Sequence, residues 1–125
     1  MQEQNFRRMY EAQRLSPKFN VLFGNVESCV ITYTRTADSP GGYYSDHKPL
    51  IKHVDVSRDS SMVTIECINP DCNKGYFNLR SIICEMVSHH VTNKSGEMFC
   101  DGMLEKDSGY QCRSKLKYDI QIKYK

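Results

Sequence analysis

The feature that most constrains this 125-residue chain is a set of four cysteines in its second half. Cys67 and Cys72 flank the segment Ile-Asn-Pro-Asp, and Gly75 follows. This spacing is typical of a zinc knuckle, in which a tight turn brings two thiolates together and a glycine lets the backbone bend towards sulfur. Asn-Pro-Asp supplies the turn-forming residues. The sequence therefore predicts that these two sulfurs meet in one turn.

The second cysteine pair is spaced more widely. Cys100 and Cys112 bracket a polar stretch from Glu105 to Gly109, which predicts a hairpin that brings the two thiols together. Four thiolates would then close a tetrahedral site for a structural Zn²⁺ ion. Two alternatives stay open: the cysteines are small buried hydrophobes, or His90 replaces one of them as a ligand.

The remaining cysteines and the N-terminus bear on the compartment. Residues 1–15 lack the apolar run of a signal peptide, and no apolar stretch is long enough to cross a membrane. We therefore expect a cytoplasmic protein with no membrane partner, whose cysteines stay reduced and are better explained by metal binding or burial than by disulfides. Cys29 and Cys84 are predicted to be packing residues.

Hydrophobic periodicity predicts helices and strands in alternation. An amphipathic helix is expected over residues 2–14, then a hairpin over 20–36 with its turn at Gly24-Asn25. Residues 37–49 contain Ser-Pro-Gly-Gly and read as a long loop. Strands are expected over 50–56 and 62–67, the second ending with Cys67 facing inward.

The last third is predicted to contain a second helix and a final strand. The helix begins near Asn78, as a possible cap, and ends near Asn93 and Gly96. The strand alternates five inward residues with lysines that face water; the five are Leu116, Tyr118, Ile120, Ile122 and Tyr124. We predict one α+β domain over residues 1–125, with antiparallel strands or hairpins and two helices, in which residues 67–125 form a zinc-ribbon-like half.

Charge is distributed unevenly along the chain. Residues 108–125 hold five basic residues and one acidic residue, whereas residues 55–107 hold five basic and nine acidic ones. Lysines meet phosphates and tyrosine rings stack on bases, so the basic and aromatic residues predict a surface for nucleic acid or a nucleoprotein. The candidate binding residues are Lys115, Lys117, Lys123, Tyr43, Tyr44, Arg7 and Arg8.

No catalytic motif stands out in the sequence. Asp46-His47 and His89-His90 invite comparison with metal-dependent nucleases, but Asp46-His47 precedes every candidate zinc ligand. Glycine-rich phosphate loops, nucleophile elbows and His-Glu-x-x-His are absent from the sequence. We therefore predict a protein that is not an enzyme, with no catalytic residues and no small-molecule substrate.

The run from Cys67 to Tyr124 resembles the zinc-ribbon-like small proteins of bacterial phages and other mobile elements. The resemblance rests on the four cysteines and two glycines and covers about half the chain. It implies a zinc-stabilised module that binds nucleic acid or a nucleic-acid-handling protein in a bacterial cell. Some such proteins block host defence systems, including CRISPR effectors. The alternative function is therefore an anti-CRISPR-like inhibitor that presents the acidic segment Asp101 to Asp107 to a basic channel.

Overall fold

The computed structural model describes residues 3–39, 42–73, 75–104 and 111–125. In chain order the elements are α1 (Glu3–Leu15), α2 (Phe19–Leu22), β1 (Val26–Ser39), β2 (Gly42–Ser45), β3 (Leu50–Val54), β4 (Thr64–Glu66), β5 (Tyr76–Asn78), α3 (Arg80–Ser88), β6 (Asn93–Phe99) and β7 (Lys115–Tyr124). Mixed α+β structure with antiparallel strands is confirmed. Among the described helices, none combines the length and the apolar content needed to cross a membrane.

The N-terminal segment holds two helices, and the second replaces a predicted strand. α1 confirms the expected N-terminal helix. The strand predicted through Val21 and Phe23 is wrong, because residues 19–22 form one helical turn. Phe19 and Phe23 lie four residues apart, are both buried, and pack edge to face with ring centroids 4.9 Å apart. Burial of both rings on one side of a turn overrides the β-preference of the stretch.

Five strands form one antiparallel sheet. β7 lies between β1 and β6, and the other edge of β1 pairs with β3 along its first half and with β2 along its second half. The alternation predicted for β7 is confirmed for Leu116, Tyr118, Ile120 and Ile122, which are buried. Lys117 and Lys123 are exposed, whereas Lys115 and Tyr124 are half-buried.

The predicted loop over residues 37–49 is largely a hairpin. β1 continues to Ser39 and pairs with β2. Arg35 and Asp46 fasten the end of this hairpin: the Asp46 backbone N–H donates to the Arg35 carbonyl at 2.9 Å, and the Arg35 side chain holds the Asp46 carboxylate at 2.8 and 3.0 Å. The composition of residues 37–49, which includes Ser-Pro-Gly-Gly, concealed β2 from the sequence analysis.

The second helix is shorter than the sequence predicts. α3 ends at Ser88, the chain turns at His90 with a positive φ of 54°, and β6 occupies the stretch that was assigned to the helix end. None of the seven residues of β6 is buried, so hydrophobic periodicity gave no sign of this edge strand.

The sheet has a core face and an open face. On β1 and β7, the inward residues include Ile31 opposite Ile120 and Cys29 opposite Ile122. They pack with Phe19 and Phe23, with Ile83 and Met86 of α3, and with residues of the small β4–β5 sheet. On the open face, Lys117, Gln121 and Lys123 are exposed beside half-buried threonines of β1. The helices and the cysteine-bearing segments therefore lie on the core side.

Candidate metal centre

The first cysteine pair sits on a knuckle that follows β4. The Cys67 N–H donates to the Gly75 carbonyl at 2.9 Å, which closes the turn at its base. Inside it, the Asp71 N–H donates to Asn69 Oδ1 at 3.0 Å. Gly75 has a φ of +81°, a conformation that favours glycine, and its N–H points to Cys72 Sγ at 3.3 Å. This backbone geometry is the one that the spacing predicts.

The second pair lies where the β6–β7 ladder continues past its regular end. The Cys100 N–H donates to the Ser114 carbonyl and the Cys112 N–H to the Gly102 carbonyl, each at 2.8 Å. Cys100 therefore lies opposite Ser114, and Cys112 lies two residues before Ser114, in the segment that leads into β7. Arg113 between them has a positive φ of 52°, so the chain bends there and does not continue β7 as a regular strand. The two backbone hydrogen bonds bring the thiols together although they are twelve positions apart.

The two pairs are joined by backbone contacts. Cys72 forms an isolated antiparallel bridge with Leu104. Asn73 and Met103 are linked twice, since the Asn73 N–H donates to the Met103 carbonyl and the Met103 N–H donates to Asn73 Oδ1, both at 2.8 Å. The knuckle thus pairs with the segment after Cys100.

The four sulfurs form a buried cluster. The Sγ atoms of Cys67, Cys72, Cys100 and Cys112 all lie within 4.8 Å of one another. Cys67 and Cys112 are 3.4 Å apart, and Cys72 and Cys100 are 3.5 Å apart. A tetrahedron with Zn–S bonds of about 2.3 Å has edges near 3.8 Å, whereas a disulfide is about 2.05 Å long. The cluster is positioned to hold a metal ion.

Polar groups surround the sulfurs. Ser114 Oγ lies 3.1 Å from Cys67 Sγ and 3.0 Å from Cys112 Sγ. The N–H groups of Gly75 and Gly102 point at Cys72 and Cys100. The Cys67 thiol donates to Ser114 Oγ. The two N–H donors would stabilise negative charge on Cys72 and Cys100, as the outer shell of a metal site does.

Crowding also distributes protons unevenly among the thiols. The hydrogen bond with Cys100 lowers the pKa of Cys72 to about 7. The hydrogen bond with Cys100 likewise lowers the pKa of Cys112. Cys100 keeps its proton, because its hydrogen bonds, first to Cys112, raise its pKa. Thiolate is the form of cysteine that binds metal, so all four thiols would lose their protons when a metal ion binds.

The other two cysteines lie outside the cluster. Cys29 is buried in β1, as expected of a packing residue, and burial raises the pKa of its thiol to about 11. The packing role predicted for Cys84 is wrong, because this side chain is exposed on α3. His90 does not approach the sulfurs; its ring stacks on Tyr124 at 4.0 Å.

The residues considered for a nuclease site are not assembled. Asp46 is held by Arg35, which lowers the pKa of the carboxyl group. In the part of the chain that the structure describes, the cysteine cluster is the one group of three or more side chains arranged to hold a metal. His47, His89 and His90 belong to no second cluster there.

The predicted binding residues divide between two sides of the molecule. Tyr43 is 67% exposed and shares the open face with Lys117 and Lys123, whereas Tyr44 points to the opposite face and is half-buried. Arg7 and Arg8 are exposed on α1, which lies on the core side. Glu105 and Asp107, which carry most of the acidic segment, lie outside the described residues.

Sequence reasoning missed Ser114 and Gly102. Ser114 lies two residues after Cys112, but Arg113 between them has a positive φ of 52°, so strand periodicity in the sequence gave no signal of its position. No protein-family model, curated protein or solved structure matches the chain. The interpretation of the site therefore rests on its own geometry.

Proposed function

We propose that this chain is a non-enzymatic binding module stabilised by one Zn²⁺ ion, and that its partner is a nucleic acid or a nucleoprotein. The observation that carries the proposal is the buried cluster of four sulfurs on Cys67, Cys72, Cys100 and Cys112. Tetrahedral sites with four thiolates select zinc or iron, and the knuckle geometry with N–H donors at sulfur is typical of structural zinc.

A structural role follows from the closure of the site. A catalytic zinc ion keeps one position for water or substrate, whereas here the protein supplies four ligands and all four are buried. The metal would join the knuckle after β4 to the extended end of the β6–β7 ladder. Its binding free energy would then contribute directly to folding.

Exposed basic and aromatic residues support the choice of partner. Lys117, Lys123 and Tyr43 are exposed on the open face, and Arg7 and Arg8 are exposed on the opposite side. Such groups bind phosphate and stack on bases without requiring a catalytic centre. A cytoplasmic role at a nucleic acid of a phage-infected bacterial cell fits this chemistry.

Elemental analysis tests the metal. Gently purified protein should carry about one zinc per chain, and native mass spectrometry should assign the ion to the folded state. Denatured protein should then expose reduced thiols at all six cysteines. If the gently purified protein contains no metal, and its stability is the same with and without chelator, the zinc assignment is wrong.

Fluorescence anisotropy with labelled single-stranded DNA and RNA tests the partner. Binding should weaken linearly on a log–log plot against salt concentration, because phosphate contacts release counterions. If neither the single-stranded DNA nor the RNA binds in a salt-dependent way, the nucleic-acid proposal is contradicted. Capture of a specific host nuclease under the same conditions would instead support the inhibitor alternative.

A further inference from the structure

A cavity of about 410 Å³ lies between α1 and the segment from β3 to β4. Its rim includes Tyr10 and Arg14 of α1, Lys52 of β3, and Arg58. Val54 and Met62, both buried, form apolar lining. The volume is within the usual range of ligand sites, about 300 to 1,000 Å³. This cationic groove, as we call it, is separate from the metal centre and from the open face.

The walls of the cationic groove are tied together. Gln13 Nε2 donates to Thr64 Oγ1 at 2.8 Å, and Ser60 Oγ donates to the Gln13 carbonyl at 2.9 Å. Just beyond α1, the Ser61 N–H donates to the Pro17 carbonyl at 2.8 Å. A site fixed by such contacts is preformed, so little ordering is needed when a ligand binds.

The charge of the cationic groove favours an anion. Arg14, Lys52 and Arg58 are opposed by one lining carboxylate, Asp59, whose Oδ2 accepts the Asp55 N–H at 2.8 Å. Among the described residues, no carboxylate forms an ion pair with Arg14 or Lys52. Arg7 lies two turns before Arg14 on the same side of α1. Arg14, Lys52 and Arg58 therefore line a space with one carboxylate, Asp59, and Arg58 also lies near Asp55.

Each of the three lysines of the open face lies near a carboxylate, whereas Arg14 and Lys52 of the groove have no ion-pair partner among the described residues. Lys115 and Lys117 lie 3.8 and 3.9 Å from carboxylate oxygens of Glu97, and Lys123 lies 3.3 Å from Glu27. Each predicted lysine thus already has an acidic neighbour. Phosphate would have to compete with these carboxylates, which weakens the open face as the principal anion site.

An aromatic ring at the groove rim adds a second recognition element. Tyr10 is 62% exposed beside Arg14, and the buried Val54 and Met62 provide apolar surface within the cavity. Planar bases stack on tyrosine, while guanidinium groups bind phosphate oxygens with paired hydrogen bonds. A ring, apolar lining and converging cations are what a base linked to a phosphate requires.

We propose that the cationic groove binds a nucleotide unit of a single-stranded nucleic acid, with the base on Tyr10 and the phosphate between Arg14, Lys52 and Arg58. The inference rests on the proposed function and locates its binding site. The same chemistry is present in a free mononucleotide, so the two sources are distinguished by experiment.

The test compares a groove variant with a variant of the open face. The first carries Arg14→Gln, Lys52→Gln and Arg58→Gln; the second carries Lys117→Gln and Lys123→Gln. Both sets replace exposed or half-buried cations, and circular dichroism melting checks that each variant is folded. Anisotropy with a labelled single strand is measured over a range of salt, and AMP is titrated separately by NMR.

The groove variant should lose affinity for the strand, and its log–log salt slope should fall by about 0.7 for each phosphate contact removed. Tyr10→Ala should weaken binding about 5- to 100-fold with the slope unchanged, since stacking carries no charge. The open-face variant should bind like the native protein.

Other outcomes separate the groove from the proposed function. If only the open-face variant loses strand binding, the groove is not the binding site, but the proposal of a nucleic-acid partner stands. If AMP binds at the groove residues and no strand binds, the groove recognises a nucleotide, but the proposal that its ligand is a single-stranded nucleic acid is contradicted. Absence of binding to strand and AMP alike would overturn both.

Discussion

Replacing Ser114 with alanine tests whether the sulfur cluster holds a metal. Ser114 is fully buried, and its hydroxyl oxygen lies 3.1 Å from Cys67 Sγ and 3.0 Å from Cys112 Sγ. With a metal bound, both sulfurs are thiolates, so the hydroxyl must donate its proton to one of them. Alanine removes that donor and leaves the four ligands in place.

The expected effect is a loss of metal affinity. Removing an outer-shell partner of a metal site typically costs about 10- to 100-fold in affinity. At a fixed free-zinc concentration well above the dissociation constant, the free energy of unfolding should fall by about 1.4 to 2.8 kcal/mol. In excess chelator, where no zinc is bound, this fall in the free energy of unfolding should disappear.

Ser61 provides a matched control. It is equally buried, but its hydroxyl has no hydrogen-bond partner among the residues that the structure describes. Ser61→Ala should therefore leave zinc affinity unchanged and leave stability unchanged or raised by about 1 kcal/mol. Competition with a colorimetric zinc chelator gives the affinities, and urea denaturation with and without zinc gives the stabilities. Equal zinc affinities for native protein and Ser114→Ala would refute the role of Ser114 at the sulfurs, and absence of zinc binding by the native protein would refute the metal assignment of the cluster.

Two further substitutions test the cluster and the β1–β2 hairpin. Cys67→Ser should lose zinc and lower the free energy of unfolding by more than Cys29→Ser, which changes a packing residue and should cost only about 1 to 3 kcal/mol in urea denaturation; equal losses would favour burial over metal binding. Asp46→Asn removes the carboxylate that Arg35 holds and should cost about 1.5 to 3 kcal/mol at neutral pH. Since the folded pKa of Asp46 is lowered, its contribution is present above the unfolded value near 3.9 and lost as pH falls through the folded pKa, so the two melting curves should converge in acid.

The metal centre was largely predictable because its signals are local. Cys67, Cys72 and Gly75 lie within one turn, where spacing determines geometry. Cys100 and Cys112 required a hairpin, which the polar stretch from Glu105 to Gly109 predicted; that stretch lies outside the described residues. The side of the sheet that β7 buries was equally predictable, because a period of two admits one register against a core.

The cationic groove and β6 could not be predicted in the same way. Arg14, Lys52 and Arg58 come from three separate elements, so only the tertiary structure brings them to one cavity. β6 buries no residue, and its pairing with β7 is a backbone property that composition does not record. Val21 and Phe23 resembled a strand, but the packing of Phe23 against Phe19 selects a helical turn.

β4 lies between the two sites. The cationic groove is at its first residue, and the cysteine cluster is just after its last. Thr64 opens this three-residue strand and holds Gln13 at the groove wall, and Cys67, a candidate metal ligand, follows its last residue. Among the described strands, β4 pairs only with β5, and an isolated two-stranded hairpin is at best marginally stable in water. Metal at Cys67 would fix one end of β4 and so help hold Thr64 in the wall. Chelation should therefore weaken strand binding at the groove before the sheet unfolds, as anisotropy and circular dichroism on one sample would reveal; unchanged affinity in demonstrably metal-free, folded protein would separate the two sites.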